Sequence, residues 1–237
     1  MQFIEFQNQF SIYPIFSLQD IRKVLNKFSY RQLDRWEKKG YLKKVKRGFY
    51  CFSIKNPTQD FLFYAANRIY APSYISLEIA LKYYKVIPEE IFQITSVSTK
   101  KTTHFETSIG NFRYRQIKPS LYFGYKLVNF GPQKILLAEL EKAILDYLYI
   151  NPKLKTREDF EEIRININEF QSQINLEKFQ QYLKSFGNKA LTKRANTFLI
   201  LLNNNHFYNK LIQYCYMTMR CLDVLILIFF HELLATF

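Results

Sequence analysis

Residues Ser17 to Phe52, SLQDIRKVLNKFSYRQLDRWEKKGYLKKVKRGFYCF, decide the fold of the N-terminal part of this chain. Ser17 with Asp20 three residues on supplies an N-cap and a first-turn acid, and Leu18, Ile21, Leu25 and Phe28 follow at roughly helical spacing. Ser29 with Gln32 repeats the capping-box spacing. Tyr30, Leu33 and Trp36 then form an apolar stripe that ends where Gly40 can act as a left-handed cap. Two short helices joined by a tight turn are expected. After them, Leu42 to Val45 and Phe49 to Phe52 are strand-like runs around Lys46-Arg47-Gly48, where glycine provides the positive φ of a hairpin turn.

Upstream, Phe3, Phe6 and Phe10 predict a first helix, and Ile12 to Phe16 around Pro14 reads as extended. The order helix, short strand, two helices, hairpin is that of a winged helix-turn-helix. On the second of the two helices Arg31 and Arg35 lie four residues apart, Lys38 continues the row, Lys39 flanks it, and Gln32 stands near the start beside Ser29. Lys44, Lys46 and Arg47 give the hairpin the same sign. From Ser17 to Lys55 there are 12 Lys and Arg against 3 Asp and Glu, a net of +9 out of the chain's +14. A clustered positive face gains free energy on duplex DNA by releasing condensed counterions, while arginine and glutamine on a helix can read guanine and adenine. The expected DNA-binding set is therefore Ser29, Arg31, Gln32, Arg35, Lys38, Lys39, Lys44, Lys46 and Arg47. Winged helices also mediate protein contacts, and a Lys/Arg row is equally the pattern of a solvated face. The concentration of charge favours nucleic acid.

At 237 residues the chain exceeds one winged domain, and 48% hydrophobic with 18% aromatic content can fill a second core. Cys51, Cys215 and Cys221 form no CxxC pair and leave an odd count, which suits a reducing compartment; the N-terminus has no signal-peptide pattern, so a cytoplasmic location is expected. The seven-residue apolar run Val224 to Phe230 is too short to span a bilayer, so no membrane association is expected.

The sequence places a boundary at Asn56-Pro57, giving a DNA-binding unit over 1–58, an α+β unit over 59–202 and an apolar helical tail over 203–237. Helices are predicted over Phe61–Ile69 and Ile75–Tyr84. The runs ITSVST, FRYRQI, KLVNF and KILL predict a small antiparallel sheet with turns at Ile109-Gly110-Asn111 and Gly131-Pro132. Further helices are predicted over Ala138–Ile150, Arg157–Ile167, Leu176–Phe186 and Lys189–Leu202, so the fold class is α+β with helices flanking a sheet. Alternation puts Arg113 and Arg115 on one face of a strand, opposite Phe112 and Tyr114: a partner surface or an ordinary solvated face. The tail stripe of Leu225, Ile228, Phe229 and Leu233 would cap the second unit, dimerise or have no role.

The ordered blocks APSYISLEIALKYYKVIPEEIFQITSVSTKK, GNFRYRQIK and AELEKAILDYLY, behind a hairpin ending in RGFY, resemble the AbiEi-type antitoxin family of abortive-infection and toxin–antitoxin systems, over about Phe16 to Leu202. One departure stands out: where the family tends to read Ala-x-Pro-Glu-Lys-Ala, this chain has Ala138-Glu139-Leu140-Glu141-Lys142-Ala143, and leucine permits the helix to start a turn earlier. The resemblance implies a cytoplasmic phage-defence antitoxin of type IV. Its N-terminal unit would repress its own operon at inverted repeats in the promoter. Its second unit would oppose a nucleotidyltransferase toxin without a stable complex, with Arg113 and Arg115 as a candidate antitoxicity surface. A generic winged-helix regulator is the simpler alternative.

For an enzyme the signals are sparse. The six glycines form neither GxGxxG nor a Walker A loop. His104, His206 and His231 lie far apart, and His231-Glu232 is half of an HExxH motif, so neither a metal nor a cofactor is expected. A metal-dependent nuclease would use carboxylates and a lysine at a strand end. Glu139, Glu141, Lys142 and Asp146 have that chemistry, but their helical spacing predicts surface salt bridging.

Overall fold

The computed structural model describes residues 1–88 and 93–202. The tail over 203–237, with its predicted stripe, Cys215, Cys221, His206 and His231-Glu232, lies outside the described residues.

The N-terminal part runs α1 (Phe3–Phe10), β1 (Phe16–Ser17), α2 (Leu18–Val24), α3 (Arg31–Lys38), β2 (Leu42–Lys46) and β3 (Phe49–Phe52). Its three strands form an antiparallel sheet in the order β1-β3-β2. The predicted capping box at the start of α2 is present: the Ser17 hydroxyl accepts from the Asp20 backbone at 3.1 Å and the Asp20 carboxylate accepts from the Ser17 backbone at 2.7 Å. The helix stops at Val24, so Phe28 packs from a loop, with its ring 5.5 Å from Phe6 and 5.9 Å from Trp36. The second capping box does not form. Tyr30 is the N-cap of α3 without a side-chain bond, and Ser29 contributes only its carbonyl, which accepts from the Gln32 backbone at 2.9 Å.

At the other end of α3, Gly40 takes φ +73°, and the Tyr41 and Gly40 amides donate to the Trp36 and Glu37 carbonyls, which is a Schellman closure. Gly48 at φ +84° turns the hairpin as expected. Phe6, Phe10, Phe16, Ile21, Leu33, Trp36, Leu42 and Tyr50 fill the core between the helices and the front of this sheet.

The second part begins with α4 (Gln59–Ile69), β4 (Ser73–Ile75), α5 (Glu78–Tyr83), β5 (Gln93–Ser98), β6 (Thr103–Thr107) and β7 (Gly110–Gln116). A 3-10 turn at Pro119–Leu121, β8 (Tyr125–Phe130), β9 (Gln133–Ala138) and α6 (Leu140–Ile150) follow, and α7 (Arg157–Glu161), α8 (Ile167–Gln173), α9 (Leu176–Phe186) and α10 (Lys189–Leu201) complete it. The sheet corrects the sequence expectation: it has six strands in the order β6-β7-β5-β4-β9-β8 and is mixed, because β5 runs parallel to β7 and β4 parallel to β9. Chain direction between non-consecutive strands leaves no mark on local periodicity. The sequence also missed β6, an edge strand in which Phe105 is the single strongly apolar residue.

The helix predicted over Ile75–Tyr84 is a strand, a sharp bend and a shorter helix. Tyr74 and Ile75 are fully buried in β4, and Leu77 turns the chain at φ +62° before α5. The Arg157–Ile167 helix ends at Glu161, and Arg164 at φ +52° separates it from α8. Leu140 does not lengthen α6; it occupies the first helical position behind the N-cap Glu139.

Between the two parts, strand alternation divides the small sheet. Phe16, Leu42 and Tyr50 face the N-terminal core, whereas Ile15, Val45 and Cys51 join the core of the second part. Asp20 accepts from Arg68 at 2.6 Å, Gln133 donates to the Ile12 carbonyl at 3.1 Å, and Ser108 donates to the Lys44 carbonyl at 3.1 Å. The Asn56-Pro57 loop marks a change of composition, while the packing runs straight across it.

Candidate nucleic-acid interface

Helix α3 buries Leu33 and Trp36 on one side and exposes Arg31, Arg35, Lys38 and Lys39 on the other. At 100° per residue the four cations and Gln32 fall within one sector, and Asp34 and Glu37 fall on the flank between that sector and Leu33. Burial, with the charges of Asp34 and Glu37, pushes the Tyr50 phenol above its ordinary value, which places these acids toward the sheet. Gln32 is half-buried, and its amide reaches the Met1 carbonyl at 3.5 Å. From α2, Arg22 donates to the Tyr30 hydroxyl at 2.7 Å and fastens the start of α3.

On the hairpin, Lys44 and Arg47 are exposed. Lys46 is placed differently. Simple alternation would put it on the same side as Lys44, but a bulge between Lys44 and Lys46 pairs it with Phe49 and turns it to the back of the sheet. There its ammonium donates to the Ile69 carbonyl at 3.3 Å and stands 3.8 Å from the Phe105 ring centroid. Burial, with the nearby Lys100 charge, pushes the Lys46 ammonium below its ordinary value. Among the described residues, none of Arg31, Arg35, Lys38, Lys39, Lys44 and Arg47 has a carboxylate within ion-pair distance.

Arg113 and Arg115 share one face of β7, with Phe112 and Tyr114 fully buried on the other, as the alternation predicts; Arg113 is exposed and lies across from His104 on β6. The expected surface salt bridging around Glu139 to Asp146 is corrected by burial. Lys142 and Asp146 are each 0% exposed and form an ion pair one turn apart on α6. Asp146 also accepts from Tyr74 at 2.8 Å and Ser76 at 2.9 Å, and Lys142 donates to Tyr74 at 2.8 Å. Burial pushes the Lys142 ammonium down and the Asp146 carboxyl up, each opposed by the other's charge. Glu141 accepts from the Asn175 backbone at 2.7 Å, and Glu139 accepts from Lys178 at 3.1 Å. These residues pin α6 to β4 and α9 instead of converging on an open strand end.

A cleft of about 270 Å³ lined by Glu78, Ile87, Tyr147, Leu154, Asp159, Glu162 and Ile163 has the wrong sign for a polyanion. Among the described residues no group of three or more His, Cys, Asp and Glu is placed to hold a metal, and no helix is long and apolar enough to cross a membrane. Cys51 is buried, and burial pushes its thiol up to about 11, far from a reactive thiolate. No protein-family model matches this chain, and a search of curated proteins finds no relative.

Proposed function

We propose that this chain is a cytoplasmic DNA-binding repressor of the antitoxin type, whose N-terminal part is a winged helix-turn-helix. In this reading α3 enters the major groove with Arg31, Gln32 and Arg35 toward base edges, while Lys38, Lys39, Lys44 and Arg47 meet phosphates. The observation that carries it is the row of exposed cations on α3, unpaired with any carboxylate among the described residues and set beside a basic hairpin on the same small core. A merely solvated face would gain by interleaving acids, whereas here the acids stand on the flank toward the sheet.

Binding of the full chain to duplex DNA from upstream of its own reading frame tests this. Affinity should fall steeply with salt, and Arg31→Ala/Arg35→Ala should erase preference over unrelated DNA, at about 1–3 kcal/mol per lost bidentate contact. Equal binding of both duplexes by the unaltered chain would refute it.

The antitoxin half of the proposal rests on the sequence resemblance. It predicts a neighbouring nucleotidyltransferase toxin whose growth arrest this chain relieves. Arg113→Ala/Arg115→Ala should impair relief and Arg31→Ala/Arg35→Ala should not, since the first pair sits on β7 of the six-stranded sheet and the second on helix α3 of the N-terminal part.

A further inference from the structure

The loop Thr99-Lys100-Lys101-Thr102 between β5 and β6 belongs to the second part, yet it stands against the hairpin. Tyr70, which follows α4, marks the joint. Lys46 from β2 places its ammonium 5.2 Å from the Tyr70 ring centroid, and Lys100 places its own 5.4 Å from the same centroid. Two cations from distant parts of the chain thus share one aromatic ring, close enough that the Lys100 charge acts on Lys46. Among the described residues neither they nor Lys101 have a carboxylate within ion-pair distance.

The loop is fixed from several sides. The Tyr70 hydroxyl donates to the Lys101 carbonyl at 2.8 Å, and the Ser98 hydroxyl accepts from the Lys100 backbone at 3.1 Å while donating to the Pro72 carbonyl at 2.6 Å. The Gln116 backbone donates to the Thr102 hydroxyl at 3.1 Å, and the Gln116 side chain to the Thr99 carbonyl at 3.4 Å. With the backbone so held, the exposed Lys100 and Lys101 start from a fixed platform, and ordering them on a ligand costs only side-chain freedom. Like charges held together repel each other, and a bound polyanion removes that repulsion. The hairpin alongside is the element placed on DNA above.

We propose that this loop is a phosphate clamp of the second part: a duplex seated on α3 and the hairpin extends past Arg47 to Lys46, Lys100 and Lys101, which hold its backbone phosphodiesters beside Tyr70. The clamp rests on the DNA-binding reading and adds that the second part carries a share of the DNA contacts.

The test uses the full chain and two duplexes, one from upstream of its own reading frame and one of unrelated sequence, over a range of salt concentrations. Lys100→Ala/Lys101→Ala should weaken binding to both duplexes alike, by about tenfold at low salt, and flatten the slope of log K against log salt by about 1–2. Both side chains are exposed, so folding is spared, and Lys100→Arg/Lys101→Arg should keep the original slope. If the alanine variant keeps the original affinity and slope while Arg31→Ala/Arg35→Ala loses sequence preference, the clamp is wrong and the DNA-binding reading stands. If no variant alters binding, or the full chain binds neither duplex, both fall together.

Discussion

Asp20 Oδ2 accepts from the Ser17 backbone at 2.7 Å and from Arg68 at 2.6 Å, so one carboxylate oxygen caps α2 and also ties it to α4. Burial pushes this carboxyl up, but the bonds from Ser17 and the Arg68 charge more than offset that and hold it below its ordinary value. Asp20→Asn should lower the stability of the full chain by about 1–2 kcal/mol in urea unfolding, because a cap and a charged contact are weakened together. In an Arg68→Ala background the loss should shrink toward the cap alone, since Arg68 is partly exposed and its contact is screened. A depressed carboxylate stabilises above its unfolded pKa and loses that contribution as pH falls through the folded one. Below about pH 4 the native chain should therefore lose stability faster than Asp20→Asn.

For the buried pair on α6, removing one partner should hurt more than removing both charges. Lys142→Met leaves Asp146 ionised or protonated without its cation in a fully buried site, at about 3–5 kcal/mol in urea unfolding. Adding Asp146→Asn should recover part of this, because a neutral amide oxygen still accepts from Tyr74 and Ser76. A double variant as unstable as the sum of the singles would show that the pair is not the source of the cost.

The back of the small sheet predicts an effect of opposite sign in two settings. A fragment of residues 1–58 uncovers Ile15, Val45 and Cys51, so it should associate and unfold without a sharp transition. Val45→Ser should make that fragment more soluble. In the full chain the same substitution should cost about 1–3 kcal/mol, because the hydroxyl replaces a packed side chain.

Leu77 is 3% exposed, with φ +62° and ψ −145°, a conformation close to glycine-only territory. Leu77→Ala removes the buried side chain and keeps the strain; Leu77→Gly removes both. The glycine variant should therefore be the more stable of the two by about 1–3 kcal/mol, the reverse of the usual order, as read by thermal or urea midpoints.

The local elements of the N-terminal part were legible because each rests on neighbours in sequence: the Ser17–Asp20 box, the Leu33 and Trp36 stripe, and glycines at two positive-φ positions. The charge on α3 was equally visible, since helical period alone gathers Arg31, Arg35 and Lys38. Tertiary contacts decided the rest. The burial of Lys142 and Asp146 follows from β4 and α9 packing over α6, so a spacing that reads as solvated on an isolated helix became the centre of a core. Parallel pairing of β5 with β7 and β4 with β9 is a property of distant segments, and a single bulge reversed the side chain of Lys46. Local patterns set which residues form helices and turns; only long-range packing, which local periodicity does not encode, set which of their polar groups meet solvent and which meet each other.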